Sequence, residues 1–483
     1  MVADPSVGTR IRIPLELSLP RFLAQSGYQV HTTSPSRRGL ELFDTTDCRL
    51  AASGAELSLH RREGWRWRRD PLGHPKLTPR EWTAPAEAPP QQLTDWTRAY
   101  RRGRPLSVRA SVVVHRRDHR VGNARSDALL TLMEERVDQQ VGTRWTPRLR
   151  HVSVIEVEDG LAAATALELI RGAALDSAAT LALLRPAVVR AARLKLPAPD
   201  SIGARDLFTR SSTLSLMQWM YFDCELSGGA PEALRKVRVA LRRLRSDLQT
   251  FAPLLDRAWA DALRAQLGDL ATRLGVVRDA EVLNDRLISL VEWLPHTDTS
   301  AAIPLLDAAV EQLAATRAEL LDGLARDEYL AAIQSAVAAV TRPQWSDSDD
   351  DHAVTRLARR PWRRLREYVA ALDDNPDDPH LHRIRILAKR ARYAAEACVP
   401  ALGAAAATCA AHLADLQTIL GEHHDAVVTR EWLRRQALGA TDVSFVAGQL
   451  AALELVRLGD ANKRWRDAWA AASRRQDWRW LRS

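Results

Sequence analysis

Polar and apolar residues alternate along roughly the first 160 positions, a strand-type period. From Arg10 to Leu19, the apolar residues Ile11, Ile13, Leu15, Leu17 and Leu19 interleave with Arg10, Arg12, Pro14, Glu16 and Ser18. A period of two puts the apolar set on one face of a strand. Similar pieces recur at Leu40–Phe43, Glu56–Arg62, Arg66–Arg69, Val112–Arg116, Leu130–Met133 and His151–Val157, with turn residues such as Gly64 and Gly122 between them. Many short strands at close spacing predict a closed or nearly closed antiparallel β-barrel. Near Leu161 the pattern changes to Ala/Leu-rich stretches with helical spacing. Helices are predicted at Leu161–Arg171 and Ala178–Leu194, a linker at Pro197-Ala-Pro199, and an all-α region from Ala204 to Trp480. The acidic run Ser346–Asp351 divides that region, and Asp373–Asp378 makes a second polar loop. The fold class is therefore α+β, multidomain.

The helical region contains an internal repeat. Leu234-Arg-Lys-Val-Arg-Val-Ala-Leu-Arg-Arg-Leu-Arg245 matches Leu381-His-Arg-Ile-Arg-Ile-Leu-Ala-Lys-Arg-Ala-Arg392 position by position. In the first copy, Leu234, Val237, Leu241, Leu244 and Leu248 form a buried stripe. Arg235, Arg238, Arg242 and Arg245 form a cationic ridge beside it, and His382, Arg385, Lys389 and Arg392 repeat that spacing. Like charges stacked along one helix face repel. Two such ridges in register call for an anionic partner. A second pair of segments, Leu274–Ala280 and Leu420–Ala426, also match. Gly275 and Gly421 are expected to end one helix, with Asp279 and Asp425 capping the next and Arg278 and His424 beside the new helix start. A further Arg-rich helix supplies Arg359 and Arg363 as additional candidates.

Composition narrows the classes. The chain has 483 residues, 46% hydrophobic and 27% charged, which excludes a disordered chain, a collagen-like fibre and an integral membrane protein. Net charge is +9, and the basic residues are nearly all arginine, whose planar fork suits phosphate. The four cysteines fall in no metal or redox spacing, so free thiols in a reducing cytosol are expected. The N-terminus lacks an apolar signal region, and cytoplasmic localisation is expected. The uncharged run Ala397–Ala414 contains Pro400 and Gly403 and reads as a helix–turn–helix corner rather than a membrane span. The fifteen tryptophans, including Trp362, Trp465, Trp469, Trp478 and Trp480, are expected to serve helix packing. Trp65 and Trp67, two apart, share a sheet face.

These motifs together resemble the CHAD family over Ala204–Trp480, with halves at 204–345 and 353–480. The resemblance implies two helical bundles related by a pseudo-twofold and a basic surface that binds inorganic polyphosphate, with possible association with polyphosphate granules. The implied site residues are Arg235, Arg238, Arg242, Arg245, Arg278, Arg359, Arg363, His382, Arg385, Lys389, Arg392 and His424. Arg235 stands where the family has a histidine, so that position keeps its charge at neutral pH.

Residues 8–195 are similar to the CYTH family of triphosphate tunnel metalloenzymes. The resemblance is carried by Leu42–Leu50, Gly54–Glu63, Trp65 and Val157–Gly160. It implies a first strand of pattern ExExK whose carboxylates help to hold Mg²⁺ or Mn²⁺. Here that strand reads Arg10-Ile-Arg-Ile-Pro14, and the late strand reads His151-Val-Ser-Val-Ile155. Thr131 falls where a carboxylate is expected, although Glu134, Glu135, Glu156 and Glu158 lie nearby. Loss of metal-dependent hydrolysis is expected, with no cofactor unless the tunnel is active. His60, Arg61, Arg62, Arg68 and Arg116 are candidates for anion binding in the barrel. Two rivals stay open: a metal-dependent triphosphatase acting on short-chain polyphosphate or nucleoside triphosphate, and nucleic-acid binding through the same basic surface.

Overall fold

The computed structural model describes residues 10–157 apart from 71, 73, 88, 89, 125, 127 and 142, then 161–173, 194–198, 203–347, 354–439 apart from 374, 441–474 and 478. The predicted helix Ala178–Leu194 up to Arg193, most of the acidic run Ser346–Asp351, Glu158 and Trp480 lie outside the described residues. The chain divides into two compact units, Met1–Arg193 and Leu194–Ser483.

The first unit is one antiparallel sheet. Its strands are β1 (Arg10–Arg12), β2 (Gln29–Thr32), β3 (Ser36–Asp44), β4 (Ala55–His60), β5 (Gly64–Arg69), β6 (Arg80–Ala84), β7 (Ser107–Gly122), β8 (Leu130–Val141) and β9 (Arg144–Val157). They run in the order β1-β9-β8-β7-β3-β4-β5-β6, with β2 also on β7. The result is a curled antiparallel half-barrel, more open than the closed or nearly closed barrel predicted: among the described residues no ladder joins β1 to β6. The predicted strand Arg10–Leu19 stops at Arg12. Pro14 has no N–H to donate, and Leu19-Pro20 instead opens α1 (Leu19–Gln25), with proline in the first turn where its missing donor costs nothing. One face of the sheet packs Ile11, Ile13, Leu132, Val152 and Val154 against α1 and α4 (Leu161–Gly172). The other packs Leu42, Val112 and Val137 beside α2 (Arg49–Ala52). Helix α3 (Pro90–Arg101) packs against α2, and its Tyr100 meets the buried Trp67 edge-on.

The second unit is helical: α5 (Ala204–Leu226), α6 (Pro231–Thr250), α7 (Arg257–Val291), α8 (Ile303–Leu324), α9 (Asp327–Thr341), α10 (Val354–Ala370), α11 (Asp378–Gly439) and α12 (Thr441–Ala472). The predicted stripe Leu234, Val237, Leu241, Leu244 and Leu248 is buried along α6. In α11 the helix breaks at Gly403, where φ is +62°. Only glycine adopts that conformation cheaply. The break makes the predicted corner: Leu381, Ile384 and Ala388 before it share one core with Cys409, Leu413, Leu416 and Leu420 after it. Trp362, Trp465 and Trp478 are buried in the same core, and Trp362 stacks on Trp478 with ring centroids 3.7 Å apart. All four cysteines are free and buried.

A second local expectation also fails. Gly275 and Gly421 do not end helices, and Asp279 and Asp425 cap none. Helix α7 runs unbroken through Gly275, and the second arm of α11 runs through Gly421. Each glycine instead faces an arginine from the preceding hairpin arm. A Cβ at Gly275 would lie 3.8 Å from Arg238 Nη2, and one at Gly421 would lie 3.6 Å from Arg385 Nη2. The residues matched by the repeat are thus glycine seats for matched guanidinium groups.

Candidate functional site

The repeat folds as two hairpins, α6–α7 and the two arms of α11, and the middle of each cationic ridge faces the other. Arg238, Arg242, Arg385 and Lys389 fall within one another's electrostatic reach. Apolar residues on the same helices drive this. Their stripes must be buried, which carries the adjacent cations into a half-buried position.

The electrostatics record the crowding. Burial, with Arg385, Arg242 and Arg238 nearby, pushes the Lys389 ammonium down to about 7. Burial holds Arg238 down to about 10 despite Asp279, whose Oδ1 is 3.8 Å from Arg238 Nη2. Burial also lowers Arg385, and it raises the Asp425 carboxyl although Arg385 opposes that shift. His382 Nδ1 lies 3.2 Å from His424 Nδ1. A hydrogen bond there requires one ring to donate and the other to accept, so at most one of the two nitrogens carries a proton. Burial and the neighbouring cations lower both histidines, His424 to about 4. The Nε–H groups of Arg242, Arg245 and Arg385 are buried and have no hydrogen-bond partner. A buried, charged donor left unpaired costs more than the roughly 1–3 kcal/mol of a neutral one. The site therefore carries strong donors with unmet demand.

Not every candidate joins the cluster. At one end of the first ridge, Arg235 is exposed, and its fork is held by Glu232 at 2.7 and 2.8 Å. At the far end of the second, Arg392 donates to Glu396 at 2.8 Å. Arg278 reaches the cluster electrostatically but donates to Glu281 at 3.1 Å, and Glu281 also receives Arg317. Arg359 and Arg363 are exposed on α10, and Arg363 pairs with Glu367. Sequence reasoning missed Glu281, a buried carboxylate that neutralises Arg278. Its signal was legible: it sits one turn after the apolar Val277, on a stripe that should carry no charge.

On the sheet, His60, Arg68 and Arg116 line one groove of about 370 Å³. Arg61 and Arg62 lie in an adjoining cleft at the β4–β5 turn with Arg37, and Arg38 and His60 line both. The groove is compensated in part. Asp118 takes the Arg116 fork at 3.0 and 3.2 Å, and Glu63 and Glu81 take Arg66. His60 is buried, with its pKa lowered by burial and by Arg66. Five arginines stand beside three glutamates in this groove, and Arg12 is in register with His151 on β9. Resident Mg²⁺ or Mn²⁺ requires convergent hard oxygens; these residues do not fit such an ion. Glu134 points elsewhere: it is buried between His119, at 2.6 Å, and Arg150.

A family model, the CHAD domain, matches residues 213–434, all within the helical unit. Two curated relatives, the uncharacterized proteins MT2285 and Rv2226 of Mycobacterium tuberculosis, are each 28% identical over 90% of this chain and 89% of their own. Among solved structures, PptA from Streptomyces chartreusis matches at 20% identity and a TM-score of 0.49, over 56% of this chain and 99% of its own. The CHAD domain from the plant Ricinus communis matches at 23% identity and a TM-score of 0.48, over 58% and 96%.

Proposed function

We propose, with the CHAD domain as premise, that this chain binds inorganic polyphosphate through the facing ridges of its helical unit, without covalent chemistry. The observation that carries the reading is the pair of unpaired, buried guanidinium donors on Arg242 and Arg385, set beside Arg238 and Lys389, with a third on Arg245 one turn further along the first ridge. A flexible polyanion can satisfy several such donors at once, and Arg–phosphate contacts are charge-assisted and often bidentate. The sheet unit acts as an accessory domain: Arg38, Arg66 and Arg116 of its groove already have carboxylate partners, and the groove does not suit a resident metal. Binding is electrostatic, so displaced counterions make it salt-dependent. For four or five phosphate contacts, affinity drops on the order of a hundredfold between about 50 and 200 mM salt.

The test is titration of the full chain with polyphosphate of defined length at two salt concentrations, with and without Mg²⁺, measuring phosphate release in the same samples. Tight, salt-sensitive, Mg²⁺-independent binding without release is the expected result. Mg²⁺- or Mn²⁺-dependent release would replace this reading with a working triphosphatase. Equal competition by DNA at matched phosphate concentration would replace it with general polyanion binding. Recruitment to polyphosphate granules follows from the same reading, and diffuse localisation in polyphosphate-rich cells would count against it.

A further inference from the structure

A second cationic groove lies beyond the end of the first ridge, between α6, the start of α7, α10 and the first arm of α11. Its cavity is about 480 Å³. Five arginines line it, Arg257, Arg264, Arg360, Arg364 and Arg390, against a single aspartate, Asp261. Asp261 is spent on Arg264 at 2.9 Å and lies 3.8 Å from Arg257. No described side chain forms an ion pair or hydrogen bond with Arg360, Arg364 or Arg390, and Arg264 Nε is buried without a partner. Burial lowers Arg390, and the charged groups that act on it are all arginines: Arg383, Arg264, Arg364 and Arg245.

The repeat makes this surplus more informative. Arg383 and Arg390 correspond to Lys236 and Arg243 in the first copy. There, Lys236 meets Glu232 at 3.4 Å and Arg243 meets Glu396 at 2.6 Å. The same stripe is neutralised in one copy and left bare in the other, where it faces three further arginines. Arg245 connects the regions: it is the last cation of the first ridge, and it acts electrostatically on both Arg264 and Arg390. From Arg242 to Arg245 the helix advances only about 4.5 Å. An extended polyanion on the ridges reaches the groove in one helical turn.

We infer that this groove is a second phosphate-binding site, occupied by the units of a polyphosphate chain that extends past the central cluster, so that the protein favours long chains over short ones. Among the described residues its lining includes no aromatic ring, which gives a nucleobase no stacking platform and favours the bare phosphate chain. The inference rests on the polyphosphate reading above.

The experiment compares tripolyphosphate with long-chain polyphosphate on the full-length protein and on Arg364→Gln/Arg390→Gln. A second variant, Arg360→Gln/Arg364→Gln, alters only exposed side chains and leaves no cavity. Wild type is expected to bind the long chain more tightly. Each variant should lose about tenfold for the long chain and less than about twofold for tripolyphosphate, since only the tethered second contact is removed. Equal losses at both lengths, or no loss for the long chain, would overturn the second site and leave the central one standing. Wild type that binds neither probe would overturn both.

Discussion

The two hairpins of the helical unit share a plan and differ in how they treat charge. In both, a glycine seats the guanidinium of the facing arm, Gly275 under Arg238 and Gly421 under Arg385. In both, the seated arginine lies near an aspartate, Asp279 or Asp425. The first hairpin ends its ridge in Arg235, tied to Glu232, and binds Arg278 to Glu281. The second puts a histidine pair, His382 and His424, in those two positions, and a lysine, Lys389, opposite Arg242. The shared elements assemble the cluster. The divergent ones make one half permanently charged and the other titratable. Duplication alone would have produced two equivalent cationic patches, whereas the divergence produces one site whose charge depends on pH.

The sharpest break of this comparison removes what the halves share. Arg238→Gln/Arg385→Gln should weaken polyphosphate binding a hundredfold or more, because two charge-assisted contacts of about 1.5–3 kcal/mol each are lost. Arg235→Gln/Arg392→Gln should change it by less than about threefold, because Arg235 is an exposed side chain already held by Glu232 and Arg392 is already engaged by Glu396 and Gln417. Titration by calorimetry separates the two cases. Equal losses would mean that the ridges act as diffuse charge rather than as a built site.

The next effect isolates the divergence. Lys389 sits near pKa 7 in the free protein because burial and three arginines disfavour its charge. Bound phosphate supplies the missing counter-charge and raises that pKa, and it raises His382 and His424 by the same cause. A group whose pKa is higher in the complex than in the free protein takes up a proton on binding. Affinity should therefore rise as pH falls from about 8 to 6, by up to tenfold per proton taken up. Lys389→Arg, charged throughout that range, should flatten most of the profile. Calorimetry in buffers of different ionisation enthalpy reads the proton uptake directly, and a profile as steep in the arginine variant as in wild type would sink the assignment.

The repeat made the central cluster legible. Two matched ridges predicted Arg238, Arg242, Arg385 and Lys389, and these are the residues that converge. The ends of the ridges were not legible, because their neutralising partners, Glu232 and Glu396, are ordinary surface residues in the sequence. On α10, arginines occupy several stripes, and sequence alone favoured Arg359 and Arg363 over Arg360 and Arg364. One position is about a hundred degrees round a helix, and only tertiary packing fixed which stripe faces the groove. On the sheet, alternation located the strands and their faces. Closure was not encoded in the alternation; it depended on how far β1 could run past Pro14.

The smallest expected effect distinguishes a helix-ending glycine from a seating one, which is where local pattern misled. A glycine that ends a helix in the left-handed conformation resists substitution, because an alanine Cβ is strained there. Gly275 and Gly421 have no positive φ and lie within continuous helix. Alanine in a helix interior is favoured over glycine by about 0.5–1 kcal/mol, and at these sites its Cβ would meet the guanidinium nitrogens at ordinary contact distance, 3.8 and 3.6 Å. Gly275→Ala and Gly421→Ala should each raise stability by up to that amount and leave binding nearly unchanged. Gly421→Leu fills the seat, displaces the Arg385 guanidinium, and should reduce binding while the helix persists. Gly403→Ala is the internal control: with φ at +62° it should destabilise the chain by about 1 kcal/mol or more. Thermal melts of the four variants read the signs. If Gly275→Ala and Gly421→Ala melted below wild type as Gly403→Ala does, the two glycines would be turning the chain rather than seating arginines, and the equivalence of the two hairpins would lose its structural basis.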